Sequence, residues 1–353
     1  MNEGSVEGLR VVVVGGTGSL GRRLCERLLA GEAGRPSKVV VFSRDEAKQH
    51  AMRLALLHRS ATEEVLFGNF GRDLEFRIGD VRDYASVRSA LDGADVVVNA
   101  AALKQVPVCE YFPEQAILTN CLGAANLVRA VSELGGRVRA AVGLSTDKAC
   151  LPFNVMGMTK ALQERIFVAA NVTCPSTRFV AVRYGNVLGS RGSVVRLFHD
   201  QVRRGGPLTV TEPGMTRFLV TLDQAVDTVF AALRLANPGE TLVPRVPSAT
   251  VASLAQALVG DRPIPIVTTG IRPGEKHHET LVSREEASCA WPRGGYIAIA
   301  PMLPEVRRPS GDLDPLGREY VSSDEVVGVG ETREILRRAG LLEGPTESPA
   351  GWD

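Results

Sequence analysis

Residues 10–29 read RVVVVGGTGSLGRRLCERLL, and this stretch decides the fold. It begins with a run of valines, which is typical of a strand buried in a parallel sheet. Glycines follow at Gly15, Gly18 and Gly21, and leucines then recur at the spacing of an amphipathic helix. Strand, glycine turn and helix in this order predict the start of a doubly wound α/β sheet whose first turn binds phosphate.

The same alternation continues through the first half of the chain. Apolar runs recur at 38–42, 75–78, 94–99, 140–144 and 179–183, with helical stretches between them. This order implies right-handed crossovers and predicts a Rossmann-like, doubly wound parallel sheet. Gly, Pro and short mixed segments become common after about residue 189. We therefore predict a cofactor-binding domain over 8–188, to which later segments can return, a smaller substrate-binding lobe over 189–300, and a C-terminal loop, helix and tail over 301–353.

Composition limits the classes of partner. The chain has 353 residues, of which 44% are hydrophobic and 23% charged, and its net charge is +1. Nothing in this balance favours a nucleic acid or an anionic membrane. No apolar run reaches membrane-spanning length and the acidic N-terminus is unlike a signal peptide, so we expect a cytoplasmic protein. The six cysteines are scattered without a C-x-x-C pair, which predicts reduced thiols and no metal site.

The second apolar run ends in FSRDEAKQ, at the position that selects between dinucleotides. An NAD site usually places a carboxylate there to hold the ribose hydroxyls. Here Ser43 and Arg44 come first, with Lys48 one turn further on, and these groups suit a 2′-phosphate. The sequence favours NADP. In the alternative, NAD, Arg44 and Lys48 are solvated and Asp45 faces the ribose.

Two further strand ends border the predicted cofactor. Asp80 can accept a hydrogen bond from an adenine amino group or can cap the next helix, and both interpretations stay open. The small residues at 100–102 allow a ligand to lie close to the backbone. The cofactor residues predicted from the turn and the strand ends are Gly15, Thr17, Gly18, Ser19, Leu20, Gly21, Ser43, Arg44, Lys48, Asp80, Val81, Ala100, Ala101 and Ala102.

The chemistry is predicted in residues 144–160, which read LSTDKACLPFNVMGMTK. A strand ends at Thr146 and is followed directly by Asp147 and Lys148. The helix after them carries Met156 and Lys160 four residues apart, on one face. An acidic and a basic side chain at the end of a strand suit proton transfer, and a loop salt bridge is the structural alternative.

Several segments resemble one family in order along residues 11–285. They are GGTGSLG, FSRDEAKQ, GDVRD, AALKQVPVCEYFP, STDKA, NVMGMTK, RYGNVLGSRGSV, MTRF and RPGEK. The chain is similar to the extended short-chain dehydrogenase/reductases, and within them to the UDP-N-acetylglucosamine 4,6-dehydratases of bacterial surface-sugar pathways. The resemblance implies a homo-oligomeric lyase that oxidises C4 of a UDP-sugar, removes the C5 proton, expels water from C6 and returns hydride to C6, with or without inversion at C5.

The resemblance also implies roles for the catalytic segment. Lys148 removes the C5 proton if burial and neighbouring positive charge lower its pKa, and Asp147 protonates the departing hydroxyl. Thr146 hydrogen-bonds the C4 oxygen, and Lys160 orients the cofactor. Met156 stands where the wider superfamily has tyrosine, and a thioether cannot accept a proton usefully. The acceptor of the C4 hydroxyl proton is therefore left open between Lys160, Lys148, Asp147 and a water.

Cations are needed for the two phosphate groups of a UDP-sugar. The substrate residues implied by the resemblance are Lys104, Glu110, Asn186, Arg191, Arg217, Arg272 and Glu275, and Lys104, Tyr184 and Asn186 are also placed at the cofactor. Three other functions compete: a UDP-sugar 4-epimerase, a 5,6-dehydratase and a non-catalytic NADP-binding regulator. The Asp147–Lys148 pair favours elimination, because a simple 4-epimerase needs no proton removal at C5.

Overall fold

The structure is a computed structural model that describes residues 5–57, 73–190, 192–308 and 314–343. Its strands are β1 (Arg10–Val14), β2 (Lys38–Ser43), β3 (Leu74–Ile78), β4 (Val96–Asn99), β5 (Ala140–Leu144), β6 (Arg178–Val182), β7 (Asn186–Val187), β8 (Leu208–Val210), β9 (Thr216–Val220), β10 (Thr241–Pro244), β11 (Ser248–Thr250), β12 (Ile266–Thr268), β13 (Thr280–Val282), β14 (Ala290–Arg293), β15 (Tyr296–Ile299) and β16 (Tyr320–Val321).

Helices alternate with the strands of the first half. They are α1 (Ser19–Leu29), α2 (Glu46–Leu57), α3 (Tyr84–Ala90), α4 (Val106–Tyr111), α5 (Pro113–Ala116), α6 (Gly123–Glu133), α7 (Val155–Thr173), α8 (Val194–Arg203), α9 (Leu222–Leu235), α10 (Val251–Val259), α11 (Arg284–Ala287) and α12 (Val329–Arg338). A π-helical segment (Ile117–Leu122) joins α5 to α6, and a short 3₁₀ turn (Asp147–Ala149) follows β5. Among the described residues, no helix combines the length and the apolar composition that a membrane span needs.

The main sheet has the order β14-β15-β10-β6-β5-β4-β1-β2-β3 among the described residues. From β3 to β10 every neighbouring pair is parallel, while β15 and β14 are antiparallel additions at one edge. The Rossmann-like fold predicted from the valine run and the glycine turn is confirmed. Strands β10, β14 and β15 come from the chain beyond residue 189, so later segments return to this sheet.

A smaller lobe is built from the rest of the second half. It contains a three-stranded sheet in the order β11-β9-β7 and the two-stranded pairs β12-β8 and β13-β16. Phe198, Leu208, Met215 and Leu258 are buried in its core, and Leu336 of α12 joins them. The C-terminal segment is therefore packed into the lobe.

A buried ion-pair network ties the sheet to the segment that follows β13. Arg183, which follows β6, donates to both carboxylate oxygens of Glu164 on α7, at 3.0 and 2.7 Å. It also donates to both carboxylate oxygens of Glu286 on α11, at 2.8 and 2.9 Å. Arg183 is 2% exposed and Glu164 is 5% exposed. The network is thus removed from water, where a charge that loses its partner is costly.

We expect Glu164→Gln to lower the free energy of unfolding by about 3 kcal/mol, because the buried Arg183 then loses one of its two carboxylate partners. Urea denaturation measures this change. The matched control is Glu334→Gln, which breaks exposed pairs with Arg337 and Arg338 and should leave stability nearly unchanged. An equal effect of both substitutions would contradict a stabilising role for the buried network.

Candidate active site

The glycine turn after β1 packs directly against the end of β4. Gly15 has φ +78°, and a Cβ atom there would lie 2.6 Å from the backbone nitrogen of Ala101. A Cβ on Gly21 would lie 2.6 Å from the carbonyl oxygen of Gly15. Gly18 is the N-cap of α1 and supplies no capping side chain. The turn therefore requires glycine, and it presents a helix N-terminus suited to an anion.

A cavity of about 240 Å³ opens beside this turn. Its lining is Gly15, Thr17, Gly18, Phe42, Ser43, Arg44, Asp45, Lys48, Gly79, Val81, Ala100, Ala101, Ala102 and Thr119. Most of these residues lie at or directly after the ends of β1, β2, β3 and β4, which is where a doubly wound sheet binds a dinucleotide. The cavity thus lies where a dinucleotide cofactor would bind. Among the predicted cofactor residues, Ser19, Leu20, Gly21, Asp80, Lys104, Tyr184 and Asn186 stand outside its lining.

Sequence reasoning missed one polar group of this cavity. Thr119 lies in the π-helical segment, is 6% exposed, and its hydroxyl has no hydrogen-bond partner among the described residues. Buried hydroxyls are usually paired, so an unpaired one in a cavity is a candidate ligand contact. No sequence signal marks Thr119, because a threonine within an apolar helix is unremarkable until the fold brings it to the cavity.

Two cations lie at the mouth of the cavity after β2. Arg44 is half exposed, and its Nη1 lies 3.7 Å from Oδ2 of Asp80. Lys48 Nζ lies 2.9 Å from Oδ2 of Asp45. The Ser43 hydroxyl accepts a hydrogen bond from Gln49 Nε2 at 3.0 Å. A hydroxyl, a guanidinium and an ammonium therefore meet at one end of the cavity, with Asp45 beside them.

The interpretation of Asp80 as a helix cap is wrong. Asp83 caps α3, accepting from the backbone nitrogens of Ala85 at 3.3 Å and Ser86 at 3.0 Å. Asp80 instead accepts from Arg82 Nη2 at 2.6 Å. Burial raises the pKa of Asp80, but the hydrogen bonds and charge of Arg82 outweigh burial and the net shift is downward. Asp80 is therefore an ionised partner of Arg82, close to Arg44.

The turn after β5 holds a fully buried carboxylate. The backbone nitrogen of Asp147 donates to the carbonyl oxygen of Tyr184 at 3.0 Å, which fixes the turn to the chain after β6. Thr146 Oγ1 donates to Asp147 Oδ1 at 2.8 Å, and Lys148 Nζ donates to the same oxygen at 3.1 Å. Asp147 is 0% exposed and its Oδ2 has no partner among the described residues. Oδ2 of Asp147 can therefore accept a hydrogen bond from a ligand.

Lys148 lies at the centre of a polar cluster. Its Nζ donates to Asn186 Oδ1 at 3.2 Å and pairs with Glu279 Oε1 at 3.1 Å. Burial lowers the pKa of Lys148, but Asp147 and Glu279 together raise it by more, while Arg217 lowers it. The net pKa shift is upward. The condition set from the sequence, a pKa lowered by burial and positive neighbours, is therefore not met in the free protein.

Met156 and Lys160 lie on the buried face of α7. Met156 packs in an apolar cluster with Cys109 and Ala116. The Lys160 ammonium donates to the carbonyl oxygen of Leu144, at the end of β5, and to Gln163 Oε1 at 2.7 Å. Burial lowers the pKa of Lys160 to about 8. Lys160 is therefore a buried amine that can gain or lose a proton at a pH close to neutral.

The predicted substrate residues are only partly brought together. Asn186 reaches Lys148, and Arg217 lies close enough to affect its pKa while donating to the carbonyl oxygens of Thr216 and His277. Glu110 instead accepts from the backbone nitrogen of Val155 at the start of α7, at 2.7 Å. Lys104 and Arg272 are exposed, Tyr184 is buried, Glu275 keeps one buried oxygen without a partner among the described residues, and Arg191 lies outside the described residues.

Glu279 is the residue of this cluster that the sequence did not reveal. It is 2% exposed, and its Oε2 has no partner within the described structure. It stands 131 positions after Lys148, which it reaches only because β13 packs against the 3₁₀ turn Asp147–Ala149. The available signal was its place three residues after RPGEK, one of the segments that carry the family resemblance. Across the described ranges, no group of three His, Cys, Asp or Glu side chains is arranged to hold a metal ion.

Comparisons with known proteins agree with this geometry. The model of the polysaccharide biosynthesis protein family matches residues 11–300. A UDP-glucose 4-epimerase from Rickettsia typhi is 43% identical over 294 residues, covering 82% of this chain and 82% of that protein. The X-ray structure of Pen from Bacillus thuringiensis is 31% identical with a TM-score of 0.83, and the match covers 95% of this chain and 99% of that chain.

More distant structures share the fold. DesIV, a dTDP-glucose 4,6-dehydratase from Streptomyces venezuelae with NAD bound, has a TM-score of 0.65 at 21% identity, covering 76% of this chain and 86% of that one. The family match runs from β1 to the end of the main sheet. The chain therefore belongs to the polysaccharide biosynthesis protein family, within the extended short-chain dehydrogenase/reductases that modify nucleotide sugars.

Proposed function

We propose that the chain is an NADP-dependent 4,6-dehydratase that acts on UDP-N-acetylglucosamine or a close relative. The observation that carries the proposal is the pair formed by the buried Asp147 and the partly buried Lys148, whose Oδ1 and Nζ atoms lie 3.1 Å apart just after β5. Water loss across C5 and C6 needs a base for the C5 proton and an acid for the departing hydroxyl. An adjacent amine and carboxyl group supply both functions.

The cofactor would be held by the glycine turn and by the residues after β2. Gly15 and Gly18 leave room for the diphosphate at the start of α1, and Ser43, Arg44 and Lys48 border the adenosine end. When bound, the nicotinamide would supply the hydride chemistry of the reaction, which links C4 and C6 of the sugar. Lys160, by the resemblance, orients the nicotinamide ribose, and its ammonium lies beside the end of β5.

One proton shift prepares the catalytic pair. In the free protein Asp147 and Glu279 favour the protonated form of Lys148 against the effect of burial, whereas elimination needs a free amine at Lys148 and an acid at Asp147. Transfer of the proton from Lys148 Nζ to Asp147 Oδ1, along their hydrogen bond, yields an amine and a carboxylic acid without a change in net charge. Exclusion of water from the site by a bound substrate would favour the neutral pair over the charged one. The amine then removes the C5 proton, and the acid protonates the 6-hydroxyl as it leaves.

The site also offers contacts for the sugar and its diphosphate. The unpaired Oδ2 of Asp147 can accept a hydrogen bond from a sugar hydroxyl. Arg217 lies near the catalytic lysine, and Lys104 and Arg272 are exposed cations for the phosphates. We propose these residues, with Asn186, Glu275 and Arg191, as the substrate-binding set. Glu110 has a weaker claim, because its carboxylate already accepts from the start of α7.

The NADP preference is tested at Arg44. We expect Arg44→Ala to weaken the binding of NADP by about tenfold or more and that of NAD far less, because only NADP carries the 2′-phosphate. Isothermal titration with both cofactors measures the two affinities. Arg22→Ala on α1, whose guanidinium pairs with Glu26, is the control for loss of a surface arginine. Equal weakening of both cofactors by Arg44→Ala would overturn the preference.

A second function, 4-epimerisation, is supported by the name of the Rickettsia relative. Both reactions begin with oxidation at C4, so the product separates them. NMR of the chain incubated with UDP-N-acetylglucosamine and NADP should show a new C6 methyl signal. A galacto-configured product would establish the epimerase, a 5,6-alkene would establish the other dehydratase, and no reaction would favour the non-catalytic regulator.

A further inference from the structure

Glu279 has no role in the chemistry described so far, yet it completes the surroundings of Lys148. Its Oε1 lies 3.1 Å from Lys148 Nζ. Glu279 is 2% exposed, which is rare for a carboxylate without a structural or functional partner. Its second oxygen is buried and unpaired among the described residues, so the side chain is held for the contact with Lys148.

The C-terminal segment fixes Glu279 from behind. Ser322, which follows β16 and is 0% exposed, accepts at its Oγ from the backbone nitrogen of Glu279 at 2.9 Å. The backbone nitrogen of Ser322 donates to the carbonyl oxygen of Glu279 at 2.8 Å. The Ser322 hydroxyl also lies 2.6 Å from that of Thr216 on β9. The C-terminal segment, itself anchored to β9 through Thr216, therefore fixes the backbone of Glu279 near the turn that carries Lys148.

We propose that Glu279 is a positioning residue for the dehydration: it holds the Lys148 amine at the site and sets the pH range in which that amine acts as a base, while Ser322 fixes Glu279 for this task. The inference rests on the proposed function for its kinetic consequence only. The electrostatic coupling between Glu279 and Lys148 is a property of the protein itself, and it can be measured without turnover.

The sign of the effect follows from the charges around Lys148. Asp147, on the same turn, and Glu279, next to β13, favour the ammonium, whereas Arg217 on β9 opposes it. Asn186 on β7 is neutral and accepts from the ammonium. Without the charge of Glu279, only Asp147 raises the pKa of Lys148, while Arg217 and burial lower it. The proton should then leave the Asp147–Lys148 pair at a lower pH, and the pH profile of turnover should move downward with it.

The experiment is the titration of Lys148 in Glu279→Gln. Competitive labelling of the intact protein with trace acetic anhydride, read by mass spectrometry at Lys148 across a pH series, gives the pKa of that amine. We expect Glu279→Gln to lower it by about one pH unit or more. Glu279→Asp retains the charge and should recover most of the shift. Ser322→Ala should move the pKa in the same direction by less. Glu325→Gln, an exposed change on the same C-terminal segment, should leave it unmoved.

The kinetic arm measures kcat/KM against pH for the same variants. The profile of Glu279→Gln should move to lower pH by the same amount as the labelling curve, whereas a merely structural residue would lower the rate at every pH without a shift. An unchanged Lys148 pKa in folded Glu279→Gln would overturn the inference. A shifted labelling curve in a protein that does not dehydrate the sugar would leave the coupling intact and overturn the proposed function instead.

Discussion

Lys148→Met is expected to lower the rate of dehydration by about 10²–10⁴-fold, because it removes the group that takes the C5 proton. Methionine retains most of the volume of lysine and no charge, so the loss reports the amine. The rate is measured with UDP-N-acetylglucosamine in deuterium oxide, where exchange of solvent deuterium into C5 should disappear with turnover. Lys148→Arg should not restore either signal, because a guanidinium does not give up its proton in this pH range.

Two controls make this result specific. Binding of NADP to Lys148→Met should stay within a few-fold of the unchanged chain, because the cofactor cavity is lined by other residues. Lys38→Ala, which removes a lysine that lies 3.8 Å from Glu75 on the main sheet, should leave turnover unchanged. Normal deuterium exchange in Lys148→Met would exclude Lys148 as the base. Lys160, the buried amine near the end of β5, would then be the next candidate.

Gly15→Ala is expected to weaken cofactor binding by about 100-fold, the second large effect. The added methyl group would lie 2.6 Å from the backbone nitrogen of Ala101, and the backbone at Gly15 has φ +78°, which an L-residue adopts only with strain. Relief of the overlap must push the turn away from β4 and into the cavity. Isothermal titration with NADP measures the loss.

Gly135→Ala is the matched control. Gly135 also has a positive φ, +63°, but a Cβ there would meet no atom within 4 Å. It lies after α6, and its substitution should cost some stability through backbone strain while the affinity for NADP stays unchanged. Equal loss of NADP binding in both variants would mean that strain, rather than the close approach of the turn to β4, governs the cofactor site.

The cofactor half of the site was predictable because its signals are local. The valine run, the glycine turn and the ends of the next strands are short stretches, and the order of strands in a doubly wound sheet brings their ends together. The positions of Arg44 and Lys48 at the cavity could therefore be predicted from the few residues that separate them from the end of β2. The role of Asp80 was ambiguous because a second aspartate, Asp83, stands three residues later. Only the helix geometry shows that Asp83 is the cap.

The catalytic half was predicted in its residues but not in its electrostatics. Asp147 and Lys148 are adjacent in the chain, so their ion pair was foreseeable. Against the effect of burial, Asp147 and Glu279 raise the pKa of Lys148. The Glu279 contact depends on the pairing of β13 with β16, which brings in Ser322 from the C-terminal segment. Tertiary pairing of short strands leaves little trace in the periodicity of a sequence.

The choice between dehydration and epimerisation decides the central claim, and one isotope measurement tests it most directly. UDP-N-acetylglucosamine deuterated at C4 is incubated with the chain and NADP in ordinary water, and the position of the deuterium is read by NMR. We expect the deuterium in the C6 methyl group of a 4-keto-6-deoxy sugar. Deuterium found at C4 of a galacto-configured product would contradict the proposed dehydratase and identify an epimerase.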